Sequence, residues 1–143
     1  SALNSSILSF SPFQSSSNAF EKKDIWNRVF ARANQALLSP SGMDESEQTL
    51  LRGHLLRMMV TRDEKMLALA MSYFSLKDIV RIGRRVIGTG LIGGKSTGML
   101  LARAMLERNN PDLSRCLEIH DSFYVGSDVL SIMSSVWRST PGG

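Results

Sequence analysis

Thr89-Gly90-Leu91-Ile92-Gly93-Gly94-Lys95-Ser96-Thr97-Gly98 carries small residues up to the start of an apolar run, Met99-Leu100-Leu101-Ala102. Where glycines open a helix, no Cβ keeps the backbone amides from closing around an anionic oxygen, and the positive helix end adds to the attraction. Lys95 supplies a point charge able to follow β- or γ-phosphate oxygens, and Ser96 and Thr97 offer hydroxyls to phosphate or to a bound magnesium ion. Gly93, Gly94, Lys95, Ser96 and Thr97 are therefore the candidate ATP phosphate-binding residues. Two other readings stand beside this one. A P-loop needs a glycine separated by four residues from the Gly-Lys pair, and Thr89 stands at that place. A P-loop also follows a strongly apolar strand, whereas Val86-Ile87 is too short for a buried parallel strand. The structural alternative is a tight turn, with Lys95 solvated and Ser96 or Thr97 acting as a helix cap.

Downstream, the apolar run predicts a helix from Lys95 to about Arg108, broken at Asn109-Asn110-Pro111. Ser122-Phe123-Tyr124-Val125-Gly126 reads as a short strand, and Ser127-Asp128 as the cap of a last helix through Val136. Residues 139–143 read as loop.

Upstream, four helices are expected. The first runs from Asp24 to Leu37 with Ile25, Val29, Phe30 and Ala33 at helical spacing, and Ser39-Pro40-Ser41-Gly42 stops it. The second starts at Asp44 and carries Leu50, Leu51, Leu55, Met58 and Met59. In the third, Thr61 and Glu64 are placed as a capping box; in the fourth, Ser75 and Asp78 open a helix that ends in basic residues. The first 19 residues, rich in serine and without periodicity, read as a flexible leader or linker.

The bulk numbers set limits. A chain of 143 residues with 43% hydrophobic and 21% charged residues suits one globular domain rather than a disordered chain. A net charge of +4 fits a polyanionic ligand without making a nucleic-acid surface, and Phe123, Tyr124 and Trp137 are too sparse for a single-strand platform. With Cys116 as the one cysteine, no intrachain disulfide or cysteine metal cluster can form, which points to a reducing compartment, by default the cytoplasm. Neither a secretory signal nor a membrane span is readable.

Ile92-Gly93-Gly94-Lys95-Ser96-Thr97-Gly98-Met99-Leu100-Leu101-Ala102 resembles the opening motif of the ATP-binding part of phosphoenolpyruvate synthases and pyruvate phosphate dikinases. Asp121-Ser122-Phe123-Tyr124-Val125-Gly126-Ser127-Asp128-Val129 is similar to the strand and turn that follow this helix in synthase-like members, although Ile119-His120-Asp121 stands where many members carry a proline. The resemblance covers about residues 84–129. The expected fold is mainly α with a small β component: a leader over 1–19 and a helical segment over 20–83, and then, as the resemblance implies, over 84–143 the incomplete N-terminal part of an ATP-grasp nucleotide-binding domain.

The resemblance further implies a parent enzyme, an ATP-dependent phosphotransferase. It uses ATP and Mg2+ and converts pyruvate to phosphoenolpyruvate through a phosphohistidine on a separate swivelling domain. The adenine pocket, magnesium carboxylates, phosphohistidine and pyruvate site are then expected beyond Gly143, on the remainder of the parent chain, so the fragment alone is expected to be inactive, with no catalytic or metal-binding residue of its own. No nucleic-acid or membrane partner is expected. The alternative is a non-catalytic helical interaction or homodimerisation module in which the glycine turn is structural.

Other residues have plainer readings. His54 is placed on the apolar side of the second helix as a packed or interface histidine, and His120 is not taken as the phosphohistidine. Arg81, Arg84 and Arg85 either extend a positive rim or complement a helix C-terminus, the second being preferred. Met58, Met59, Met66, Met71, Met99 and Met105 read as core filler.

Overall fold

A computed structural model of the chain describes residues 12–117 and 122–139. Residues 1–11, His120 and the tail 140–143 lie outside the described residues, and with them most of the expected leader and terminal loop.

Helix α1, Pro12–Leu38, starts well ahead of Asp24, so residues 12–19 are helical rather than part of an unstructured leader. Proline suits the first helical position, and no glycine or second proline interrupts the chain before Pro40. Ala33 and Ala36 are buried, and the rings of Trp26 and Phe30 stack with centroids 4.9 Å apart. A 3-10 turn, Pro40–Gly42, ends the run.

Helix α2, Glu45–Met59, begins as the sequence predicts, with the Asp44 carboxylate accepting the Glu47 amide at 2.7 Å. Its buried face is turned from the expected one. Leu51, Leu55, Leu56 and Met59 are buried, while Leu50 is 75% exposed and His54, one turn on, is exposed with it. The expected packing of His54 is therefore corrected: it shares the solvent side with Leu50.

Helix α3, Glu64–Tyr73, is capped by Asp63, whose carboxylate accepts the Met66 amide at 2.9 Å. Thr61 does not cap it, because its hydroxyl accepts the Asp63 amide at 3.1 Å and sets up the residue that does. The Arg52 guanidinium donates to the Phe74 carbonyl at 2.7 Å and to the Met71 carbonyl, joining α2 to the end of α3. Helix α4, Leu76–Gly83, starts at Ser75 and Asp78 as expected, and the two form a reciprocal capping box.

Strands β1, Val86–Ile87, and β2, Tyr124–Val125, pair in parallel, Val86 opposite Tyr124 and Ile87 opposite Val125. Val86-Ile87 is too short to be a buried strand, as its residues suggest: Ile87 is 49% exposed. It is a strand nonetheless because main-chain bonds hold it, Tyr124 N to the Arg85 carbonyl at 2.8 Å and Gly126 N to that of Ile87 at 2.9 Å. Between them lie α5, Gly94–Asn109, and the unforeseen short helix α6, Pro111–Ser114, whose first turn Asn110 caps. The last helix, α7, Ser127–Ser139, runs past Val136.

The fold is thus mainly helical with a small parallel sheet. Leu55, Leu56, Met59, Ile79 and Val80 are the largest fully buried side chains, each contributing about 1.5–3 kcal/mol by leaving water. Ile92 and Leu101 belong to the same core, so the glycine segment and α5 are packed onto the helices that precede them. Met59, Met66 and Met71 fill that core or its edge, but Met99 is 63% exposed. Among the described residues no helix is long and apolar enough to cross a membrane.

Candidate functional site

Two sets of hydrogen bonds hold the glycine segment from opposite sides. At its start, the Asp128 carboxylate accepts the Thr89 amide through Oδ2 and the Gly90 amide through Oδ1, each at 2.9 Å, and the Thr89 hydroxyl at 3.3 Å. The Ser127 amide donates to the Leu91 carbonyl at 2.9 Å beside them. At its far side, Ile92 N donates to the Met59 carbonyl at 2.9 Å and the Thr97 hydroxyl to the Val60 carbonyl at 3.3 Å. These carbonyls belong to the end of α2, where helical partners run out.

Asp128 is the residue that sequence reasoning misplaced. Read as the cap of α7, its carboxylate reaches back 38 residues to bind Gly90. Burial pushes its pKa up, but hydrogen bonds from the Thr89, Val129 and Gly90 amides and the Thr89 hydroxyl outweigh that and hold the carboxyl below its ordinary value of 3.8. The glycines around it are there for room. A Cβ on Gly88, Gly90 or Gly126 would come within 2.6–2.8 Å of an Asp128 carboxylate oxygen, and Gly88 also has φ +96°. These three glycines, in two distant segments, were the available signal, but only their proximity in space gives it meaning.

Gly93 and Gly94 differ: a Cβ on either would meet nothing within 4 Å. Gly93 is the N-cap of α5 and offers no side chain to the first turn, which contains no acidic residue. By contrast α2, α3 and α4 each begin with a carboxylate or hydroxyl cap and an acid in the first turn. The first intrahelical bond of α5 is Thr97 N to the Gly93 carbonyl at 3.0 Å, so the Gly94, Lys95 and Ser96 amides precede the helical ladder. Gly93, Gly94 and Lys95 are exposed and Ser96 is half-buried. Thr97 is the one predicted residue withdrawn from the site, 2% exposed with its hydroxyl committed to Val60.

The other candidates lie elsewhere. Arg84 donates to the Asn34 side chain at 2.8 Å, and Arg81 pairs with Asp78 at 3.1 Å. Arg81 and Arg85 line a groove between α4 and α5 rather than a rim for the glycine segment. Among the described residues no group of three or more histidine, cysteine, aspartate or glutamate side chains could hold a metal ion.

Comparison of the chain with protein families, with curated proteins and with solved structures gives no match.

Proposed function

We propose that the amino end of α5 binds the phosphates of ATP, and that the chain is part of an ATP-dependent phosphotransferase of the phosphoenolpyruvate synthase and pyruvate phosphate dikinase type. One observation carries the reading: α5 alone among α2 to α5 begins without a side-chain cap or an acid, behind two glycines whose missing side chains no neighbour requires. Three consecutive amides and the helix field favour an anion there, and Lys95 adds a mobile positive charge. In this role Gly93 and Gly94 admit the phosphate to the backbone, Lys95 neutralises it and Ser96 donates its hydroxyl. Thr97 is structural.

ATP would supply the phosphoryl group, with pyruvate as acceptor and phosphoenolpyruvate as product in the cytoplasmic parent enzyme. Magnesium would accompany the nucleotide, with its carboxylate ligands supplied by the remainder of the parent chain. Residues 84–139 would then form the beginning of an ATP-grasp subdomain. Calorimetric titration with MgATP tests this: weak binding is expected, reduced about tenfold by Lys95→Ala. Equal affinity in the variant would remove Lys95 from the site.

A second reading, an interaction or homodimerisation module, is favoured by α7, none of whose residues is buried. Ile132, Met133, Val136 and Trp137 are each more than 60% exposed along it. Sedimentation separates the two, a strictly monomeric chain counting against self-association.

A further inference from the structure

We propose that the groove between α4 and α5 is a second binding site, for a small molecule that joins a flat apolar body to a phosphate or carboxylate head. Its volume is about 380 Å³, within the roughly 300–1,000 Å³ of small-molecule pockets. Two kinds of surface meet in it. Tyr73, Phe74, Leu100, Ala104 and Tyr124 give an apolar, largely aromatic wall, and Arg81, Arg85, Arg103 and Arg108 stand around it.

The charge balance selects the sign of the ligand. Asp78 and Glu107 are the carboxylates of the lining, against four guanidiniums. Both carboxylates are already engaged. Asp78 accepts the Ser75 amide at 3.0 Å and hydroxyl at 2.6 Å through Oδ2 and Arg81 through Oδ1, while Glu107 accepts Arg103 Nε at 2.9 Å. A guanidinium has five donors in a planar fork, so one that holds a neighbour still presents others to an oxyanion. Arg108 is held in place for this, stacked 5.7 Å from the Tyr73 ring centroid and bonded to the Ser72 carbonyl. An apolar molecule would make no use of the further donors of these guanidiniums, and a bare anion would leave the aromatic wall wet. A molecule with both parts satisfies both.

This site is separate from the amino end of α5. Leu100, the first α5 residue of the groove lining, lies six residues past Gly94, about 9 Å along the helix at 1.5 Å per residue, and Ala104 lies one turn further on. Either site can exist without the other.

The test is a titration of the intact, 15N-labelled chain with phenyl phosphate, followed by amide NMR, with inorganic phosphate and phenol as the two halves. Saturable shifts are expected at Tyr73, Arg85, Ala104 and Tyr124, with each half binding at least about tenfold more weakly than the whole. Arg81→Gln combined with Arg108→Gln should weaken binding about tenfold, and Ala104→Phe, which fills the groove without touching charge, should weaken it similarly. Retained amide dispersion shows that a variant is folded, and Ala104→Phe keeps the test decisive if the double variant is not. Absence of saturable shifts, shifts confined to Gly94–Ser96, equal affinity for inorganic phosphate, or full affinity in a folded variant would each overturn the proposal.

Discussion

Asp128 receives the Gly90 amide at 2.9 Å, and a Cβ on Gly90 would lie 2.8 Å from the same carboxylate oxygen. The start of the glycine segment is thus already occupied by an anion that α7 supplies. Its first half, Thr89-Gly90, is satisfied by the Asp128 carboxylate, while its second half, Gly93 to Ser96, lies at a helix start without a side-chain cap. The division explains why one glycine-rich run contains two kinds of glycine, one required by packing and one not.

Asp128→Ala is expected to cost about 1–2 kcal/mol in urea unfolding, because two amides lose a charged acceptor. The folded-state pKa lies below 3.8, so the carboxylate's contribution is fully present above the unfolded value and fades as pH falls through the folded one. The stability gap between wild type and variant should stay constant from about pH 7 to pH 5 and shrink below about pH 4. A gap that widens on acidification would contradict the assignment.

Gly90→Ala and Gly93→Ala should behave oppositely. At Gly90 an added methyl meets the Ser127 hydroxyl at 2.6 Å and the Asp128 amide nitrogen at 2.8 Å, so about 1–3 kcal/mol of stability is expected to be lost. At Gly93 it meets nothing, and thermal stability should hold while MgATP affinity falls. Equal destabilisation by both would show that the segment is structural throughout.

Gly98 sits in the exposed interior of α5, where a Cβ would meet no atom within 4 Å. Gly98→Ala should therefore stabilise the chain by about 0.5–1 kcal/mol, by restricting the unfolded chain more than the folded one. A loss of stability in thermal melts would mean that this face of α5 is already covered.

Elements with strong local signals were legible in the sequence. The Ser75–Asp78 box, the Asp44 cap and the Asn110 break needed only neighbours three or four residues away. Relations set by distant partners were not. The α2 face came out rotated because Leu50 and Leu56 are equally apolar, and only packing makes Leu56 fully buried and Leu50 75% exposed. The strand at Val86–Ile87 exists because Tyr124 and Gly126 supply its partners. Thr97 read as a ligand because its hydroxyl is two residues from Lys95; the Val60 carbonyl that claims it is 37 residues away.

Thr97→Val tests that last point. Removing a hydroxyl that serves Val60 should lower stability by about 1 kcal/mol and leave MgATP affinity unchanged. Ser96→Ala should do the reverse, and calorimetric titration beside urea unfolding reads both.

A triphosphate is expected to settle on the amino end of α5. Amide NMR of the 15N-labelled chain with MgATP reads this residue by residue. Progressive shifts are expected at Gly94, Lys95 and Ser96, diminished in Lys95→Ala, with Thr89 and Gly90 nearly still behind the Asp128 carboxylate. Silent Gly94–Ser96 amides at millimolar nucleotide, or shifts centred on Thr89 and Gly90, would contradict it.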